Sequence, residues 1–157
     1  MTVNAKTLTE TIACQGLSVR TTNQAELNPS TAKMGKLWLT FYQTIFSKLP
    51  AGSAAYGIYH NYESDANGAF DVTASCQQDM NVDSDNNLNL QIVTIPEGKY
   101  LVFSEQGMMP AAVITAWQKV WSYFNSSDCE HARLYNVDFE HYVSQFQVDV
   151  YIGIEQK

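Results

Sequence analysis

The chain has 157 residues and a formal net charge of −7, from 9 Lys and Arg against 16 Asp and Glu. That length buries roughly 70% of the unfolded surface in one domain without help from disulfides or metal, and 45% apolar with 16% charged residues excludes a disordered tail and leaves little charge for a coiled coil. An acidic chain with no basic run is a poor partner for nucleic acid, whose phosphates supply most of the binding energy, and its field favours cations.

In chain order, apolar stretches predict strands over about Leu8–Thr22, Ala55–Tyr62, Phe70–Gln77, Leu88–Glu105, Arg133–Tyr142 and Gln147–Glu155, with room for two strands in each of the long ones. The start, Met1 to Lys6, has no apolar signal region, and no run reaches the ~20 residues of a membrane span. Absence of such signals points to a cytoplasmic protein with no membrane partner. Met34, Leu37, Trp38, Phe41, Tyr42, Ile45 and Phe46 recur at helical period, with Ser30 or Thr31 as cap and Pro50 past the end. Asn67-Gly68 is a hairpin-turn signal between Tyr62 and Phe70. Asp83 to Asn87 is polar and reads as a linker. Val113, Ala116, Trp117, Val120, Trp121 and Phe124 predict a second helix, with Pro110 suited to its first turn.

The mid-chain linker suggests an internal repeat. At an offset of 83 positions Ile12 falls on Ile95, Val19 on Val102, Leu37-Trp38-x-x-Phe41 on Val120-Trp121-x-x-Phe124, and Tyr56-Gly57-Ile58-Tyr59 on Phe139-Glu140-His141-Tyr142. The expected fold is α+β: two strand–helix–strand–strand units, about 8–80 and 91–155, build one antiparallel sheet. Residues 1–157 then form a single domain, both helices cover one face, and a ligand groove lies between the halves.

The symmetry breaks where the first half has Gly57 and the second Glu140, each followed two residues later by Tyr, at Tyr59 and Tyr142. Strand alternation puts each such pair on one face. An acid ringed by aromatics is one reading; a solvated strand glutamate beside a core is the other. Parity leaves both open, because Asp138 shares the Glu140 face. Cys14, Cys76 and Cys129 are scattered and read as free thiols. His60, His131 and His141 lack ligand spacing, and Asp79, Asp83 and Asp85 lack the glycine and terminal glutamate of a calcium loop, so no metal or cofactor is expected.

Val93-Thr-Ile-Pro96-Glu-Gly98-Lys-Tyr100-Leu-Val-Phe103, Trp117-x-x-Val-Trp121-x-x-Phe124, Asp138-Phe139-Glu140-x-Tyr142 and Val150-Tyr151-Ile152-Gly153-Ile154 together resemble the gyrase-inhibitor-like small-molecule-binding family. The first half agrees through Arg20-Thr21-Thr22-Asn23, Lys36-Leu37-Trp38, Tyr56-Gly57-Ile58-Tyr59 and Glu63-Ser64-Asp65. These are the effector-binding domains of multidrug-responsive regulators, also found alone, and the composition is similar to the integron-cassette members that bind cationic drugs. The resemblance implies a pocket between the halves, makes Glu140 the pocket acid and Tyr151 a pocket aromatic. The expected ligand-binding set is Glu140 with Trp38, Tyr59, Phe103, Trp117, Trp121, Tyr142 and Tyr151, and the expected ligand is a hydrophobic cation. Glu63 and Glu105 are the next candidates for the charge. Regulators of this type carry a helix-turn-helix module that these residues cannot form, which leaves sequestration or a separate DNA-binding partner. A hydrolase using Glu140 as acid/base is the competing reading from a different class.

Overall fold

The computed structural model describes residues 2–79 and 89–155; the Asp83–Asn87 linker lies outside them. Eight strands form one antiparallel sheet. They are β1 (Thr2–Leu8), β2 (Ile12–Thr21), β3 (Ala55–His60), β4 (Phe70–Gln77), β5 (Gln91–Ile95), β6 (Gly98–Gln106), β7 (Val137–Ser144) and β8 (Gln147–Gly153). The helices are a single turn, α1 (Asn23–Glu26), then α2 (Met34–Thr44) and α3 (Ala111–Phe124). No helix among the described residues is long and apolar enough to cross a membrane.

The sheet order β1-β6-β8-β7-β3-β4-β2-β5 reads the same from both edges when the halves are exchanged. Each half contains the expected strand–helix–strand–strand unit and adds one strand before it, β1 in the first half and β5 in the second. These leading strands are traded: β1 pairs with β6 and β5 pairs with β2. β1 was not predicted, because Thr2 to Leu8 alternates weakly and lies at an edge where no strong apolar pattern is required.

β1 and β2 are six places apart in the sheet yet are joined by residues 9–11 alone. Six strand spacings in a flat sheet are about 29 Å, whereas the chain from Leu8 to Ile12 reaches at most about 14 Å. The sheet must therefore curl until its edges approach. The face turned away from the helices holds Ile58, Phe139, Tyr100 and Tyr151, packed with Leu8 and Ile95 from the edge strands and with Ile12 of β2. The other face packs under the two long helices: Leu37 and Phe41 of α2 against Phe70, Val72 and Ala74, and Ala116 and Val120 of α3 against Leu101, Phe103, Val150 and Ile152. Each helix has one apolar stripe, so both settle on the same side.

Three local expectations change. α2 begins at Met34, later than a Ser30 or Thr31 cap implies; the Glu26 carboxylate accepts from the backbone N–H groups of Lys33 and Met34 at 2.9 and 3.1 Å and does the capping. The single offset of 83 does not extend to the first strands. Val19 packs on the helix side and Val102 on the opposite side, so strand parity forbids equating them, and Ile12 and Ile95 are ladder partners of each other. Finally, Arg133 lies outside β7 and makes an isolated bridge to Ile154.

Candidate functional site

β3 and β7 form the centre of the sheet, with Gly57 directly opposite Glu140. Glu140 is 2% exposed and lies on the helix side. One carboxylate oxygen, Oε2, accepts from the Tyr59 hydroxyl at 2.9 Å and from the Trp117 indole Nε1 at 2.6 Å; Oε1 accepts from the Tyr142 hydroxyl at 2.9 Å. β3, α3 and β7 thus each supply one donor. Burial pushes the Glu140 carboxyl up from its ordinary value, and the hydrogen bonds from Trp117, Tyr59 and Tyr142 pull it partly back. Burial and the Glu140 charge in turn raise the hydroxyls of Tyr59 and Tyr142 well above the usual range.

Gly57 is what permits this packing. A Cβ there would stand 2.5 Å from Glu140 Oε1 and 2.8 Å from Trp38 Cζ2. Trp38 lies edge-on to Tyr142, with ring centroids 5.2 Å apart, and Tyr42 follows Trp38 at 5.8 Å. On the opposite wall Trp117 contacts Tyr59 at 4.9 Å and leads outward to Trp121 at 6.2 Å. Met34 meets the Tyr59 hydroxyl through its sulfur at 3.8 Å.

The structure therefore gathers Glu140, Tyr59, Trp117, Tyr142 and Trp38, with Trp121 at the rim, 40% exposed. The contacts equate Trp38 with Trp117, one turn earlier than the Trp38–Trp121 match: each of these two rings sits on the tyrosine of the opposite half. Two members of the expected set lie elsewhere. Tyr151 pairs with Phe139, stacks on it at 4.3 Å, and so occupies the curled inner face behind Glu140. Phe103 is core beneath α3, against Tyr123 and Phe124. The reserve acids are also engaged elsewhere: Glu105 pairs with Lys119 at 2.8 Å, and Glu63 accepts from Ala69 N in the β3–β4 loop. Tyr42 and Met34 also touch the cluster; in sequence they are indistinguishable from the core stripe of α2. A cavity of about 870 Å³ beside the β1–β2 turn, bordered by Lys6, Glu10 and Asp79, contains none of these aromatics.

Asp138, two residues before Glu140, is fully buried as well. Its Oδ2 accepts from Arg133 Nη2 at 2.7 Å and from the Tyr62 hydroxyl at 2.6 Å, and its Oδ1 from Gly153 N at 2.8 Å. The Arg133 guanidinium lies over the Tyr135 ring at 4.3 Å. One buried acid is thus neutralised by an internal cation, and the other has only neutral donors.

A duplicated α+β sheet with a central aromatic-ringed acid defines an effector-binding domain. The sequence profile of the integron-associated effector binding proteins, the Cass2 family, matches residues 7–154, and the chain belongs to that family. The integron cassette protein VCH_CASS2 from the mobile metagenome of Vibrio cholerae shares 40% identity over 98% of this chain and 95% of its own, with a TM-score of 0.88. At 16% and 15% identity the fold alone is shared with two others. One is SAV2435, solved bound to tetraphenylphosphonium (TM-score 0.68, 99% of this chain, 94% of that one). The other is a Staphylococcus aureus protein described as a putative transcription regulator (TM-score 0.70, 99% of each chain). No curated protein matches the sequence.

Proposed function

We propose that this chain is a non-catalytic binder of hydrophobic cations, with Glu140 as its charge anchor. The observation that carries the reading is the buried carboxylate surrounded by aromatic rings and by neutral donors only. A carboxylate out of water is costly without a counter-charge, and a bound cation offsets that cost. Rings of Trp38, Tyr42, Trp117 and Trp121 would receive the ligand's apolar surface, each cation–π contact contributing roughly 0.5–2 kcal/mol. Tyr42 meets the cluster through its ring contact with Trp38 and is exposed at the rim, so it is the side chain that gives way to admit a ligand, while three hydrogen bonds hold the carboxylate. The cationic ligand of the SAV2435 structure supports the same chemistry. Acid/base hydrolysis gains no second group: Asp138, the other buried acid among the described residues, is committed to Arg133.

Glu140→Gln keeps the shape and removes the charge. Calorimetry with tetraphenylphosphonium and with neutral tetraphenylmethane-type analogues made soluble by uncharged groups tests the assignment. The cation should lose about 10- to 150-fold in affinity, the ratio that matches roughly 1.5–3 kcal/mol for a charge-assisted contact, and the neutral compound little. Equal affinity of both proteins for the cation would remove Glu140 from the site.

A further inference from the structure

The two buried acids of β7 stand on one face at i and i+2, their Cα positions about 6.5–7 Å apart along the strand. Tyr59 joins them: it is the cross-strand partner of Asp138 and donates its hydroxyl to Glu140. Charges on neighbouring same-face side chains inside a protein interact with little screening by salt. Arg133 is buried to 6% side-chain exposure against a fully buried Asp138, so its charge cannot be replaced by solvent.

We propose that Arg133 is a specificity-determining residue: by neutralising Asp138 beside Glu140 it sets the buried site at one net negative charge, and so matches it to a single positive charge. The inference rests on the cation-binding reading above. The geometry carries it further than a fastening role for the ion pair. Arg133 is anchored by Asp138 and by the Tyr135 ring at 4.3 Å, with Phe124 at 5.9 Å, in an arrangement of acid, tyrosine hydroxyl and aromatic face like the one around Glu140. The protein has in effect filled one of two adjacent cation sites with its own side chain. The groups facing Glu140 from the packed elements are neutral: Tyr59 on β3, Tyr142 on β7 and Trp117 on α3, with Tyr42 on α2 sensing its charge. Asp138 is therefore the other acid on this face of β7, with Arg133 paired to it from the preceding loop.

A charge ladder tests this. Wild type and Arg133→Met/Asp138→Asn both present one negative charge, Asp138→Asn presents none, and Arg133→Gln presents two. Tetraphenylphosphonium affinity should fall about ten-fold or more in Asp138→Asn, return to within about three-fold of wild type in the double variant, and rise about ten-fold in Arg133→Gln read above pH 8. A second readout needs no ligand: the Glu140 side-chain carboxyl, followed by carbon NMR, should titrate at lower pH in Asp138→Asn than in wild type and return in the double variant. If Asp138→Asn does not fold, wild type, the double variant and Arg133→Gln complete the ladder. A merely structural ion pair predicts the opposite pattern: the double variant would bind no better than Asp138→Asn, and neutral analogues would weaken equally. Failure of wild type to bind the cation while the Glu140 titration follows the ladder would overturn the cation-binding reading and leave the charge coupling standing. A Glu140 titration indifferent to Asp138 and Arg133 would overturn the coupling itself.

Discussion

Gly57→Ala probes the packing on which the site depends. The added methyl would lie 2.5 Å from Glu140 Oε1 and 2.8 Å from Trp38 Cζ2, against an ordinary contact of 3.4–4 Å. Close to an ångström of movement is needed at the carboxylate and somewhat less at the ring. The carboxylate is tied by three hydrogen bonds, and Trp38 is edge-packed on Phe41 at 5.7 Å and on Tyr142 at 5.2 Å. Neither yields freely, so the cost is that of overpacking a core, about 1–3 kcal/mol, or roughly 3–10 °C in Tm for a chain of this size. Gly35 in α2 has nothing within 4 Å of its missing Cβ. Gly35→Ala is therefore the control and should stabilise by about 0.5–1 kcal/mol through helix propensity. Urea unfolding of the three proteins, with m unchanged, measures both. If Gly57→Ala matched wild type while Gly35→Ala gained stability, the close approach of Glu140 and Trp38 across Gly57 would be refuted.

Four further outcomes follow from the same geometry. Cation affinity should decline on acidification starting above the ordinary glutamate range, because burial raises the Glu140 carboxyl and its protonation removes the anchor; calorimetry from pH 4 to 8 reads this. The unliganded protein should show the linked effect in stability. A carboxyl raised in the folded state contributes most below its unfolded pKa and progressively less as pH rises to its folded one, so Glu140→Gln should gain on wild type across that window in urea titrations. Trp117→Phe keeps a ring and removes the N–H on Oε2, so the Glu140 carboxyl should titrate at still higher pH by carbon NMR. Arg133→Met alone should cost about 3–5 kcal/mol in urea unfolding, since it leaves Asp138 buried without its cation, and adding Asp138→Asn should recover much of that loss.

The helices that bear on the site were legible because periodicity reports burial on one side: the stripes of α2 and α3 each had one packed face, whereas in β4 the alternating polar residues Thr73 and Ser75 are buried as well. The Gly57–Glu140 contrast was legible for a different reason. At the centre of the sheet equivalent positions face one another, so a sequence offset there is also a contact. Away from that centre the same offset misled. The β2 and β6 match equated residues on opposite faces, and the helical match selected Trp121 over Trp117, because any two amphipathic helices align one turn apart almost as well as in true register. Tyr151, named through the family resemblance, lies on the face opposite Glu140; a buried aromatic on a strand gives no sign of which of two packed faces it serves. The Arg133–Asp138 pair was invisible, since it joins a loop to a strand through burial that no spacing records.

The trading of β1 and β5 has a consequence for how the molecule can come apart. Each half holds the other's leading strand, seven residues paired along β6 and five along β2. Cutting the chain between Asp79 and Asn89 would not free two small domains. It would yield two interlocked fragments, each completing its partner's sheet, like a pair of hands with crossed thumbs. A protein of one half-length alone would reach the same architecture only by pairing with its twin, and the acid that stands once per chain at Glu140 would then face its own copy across the axis, where Gly57 now gives it room.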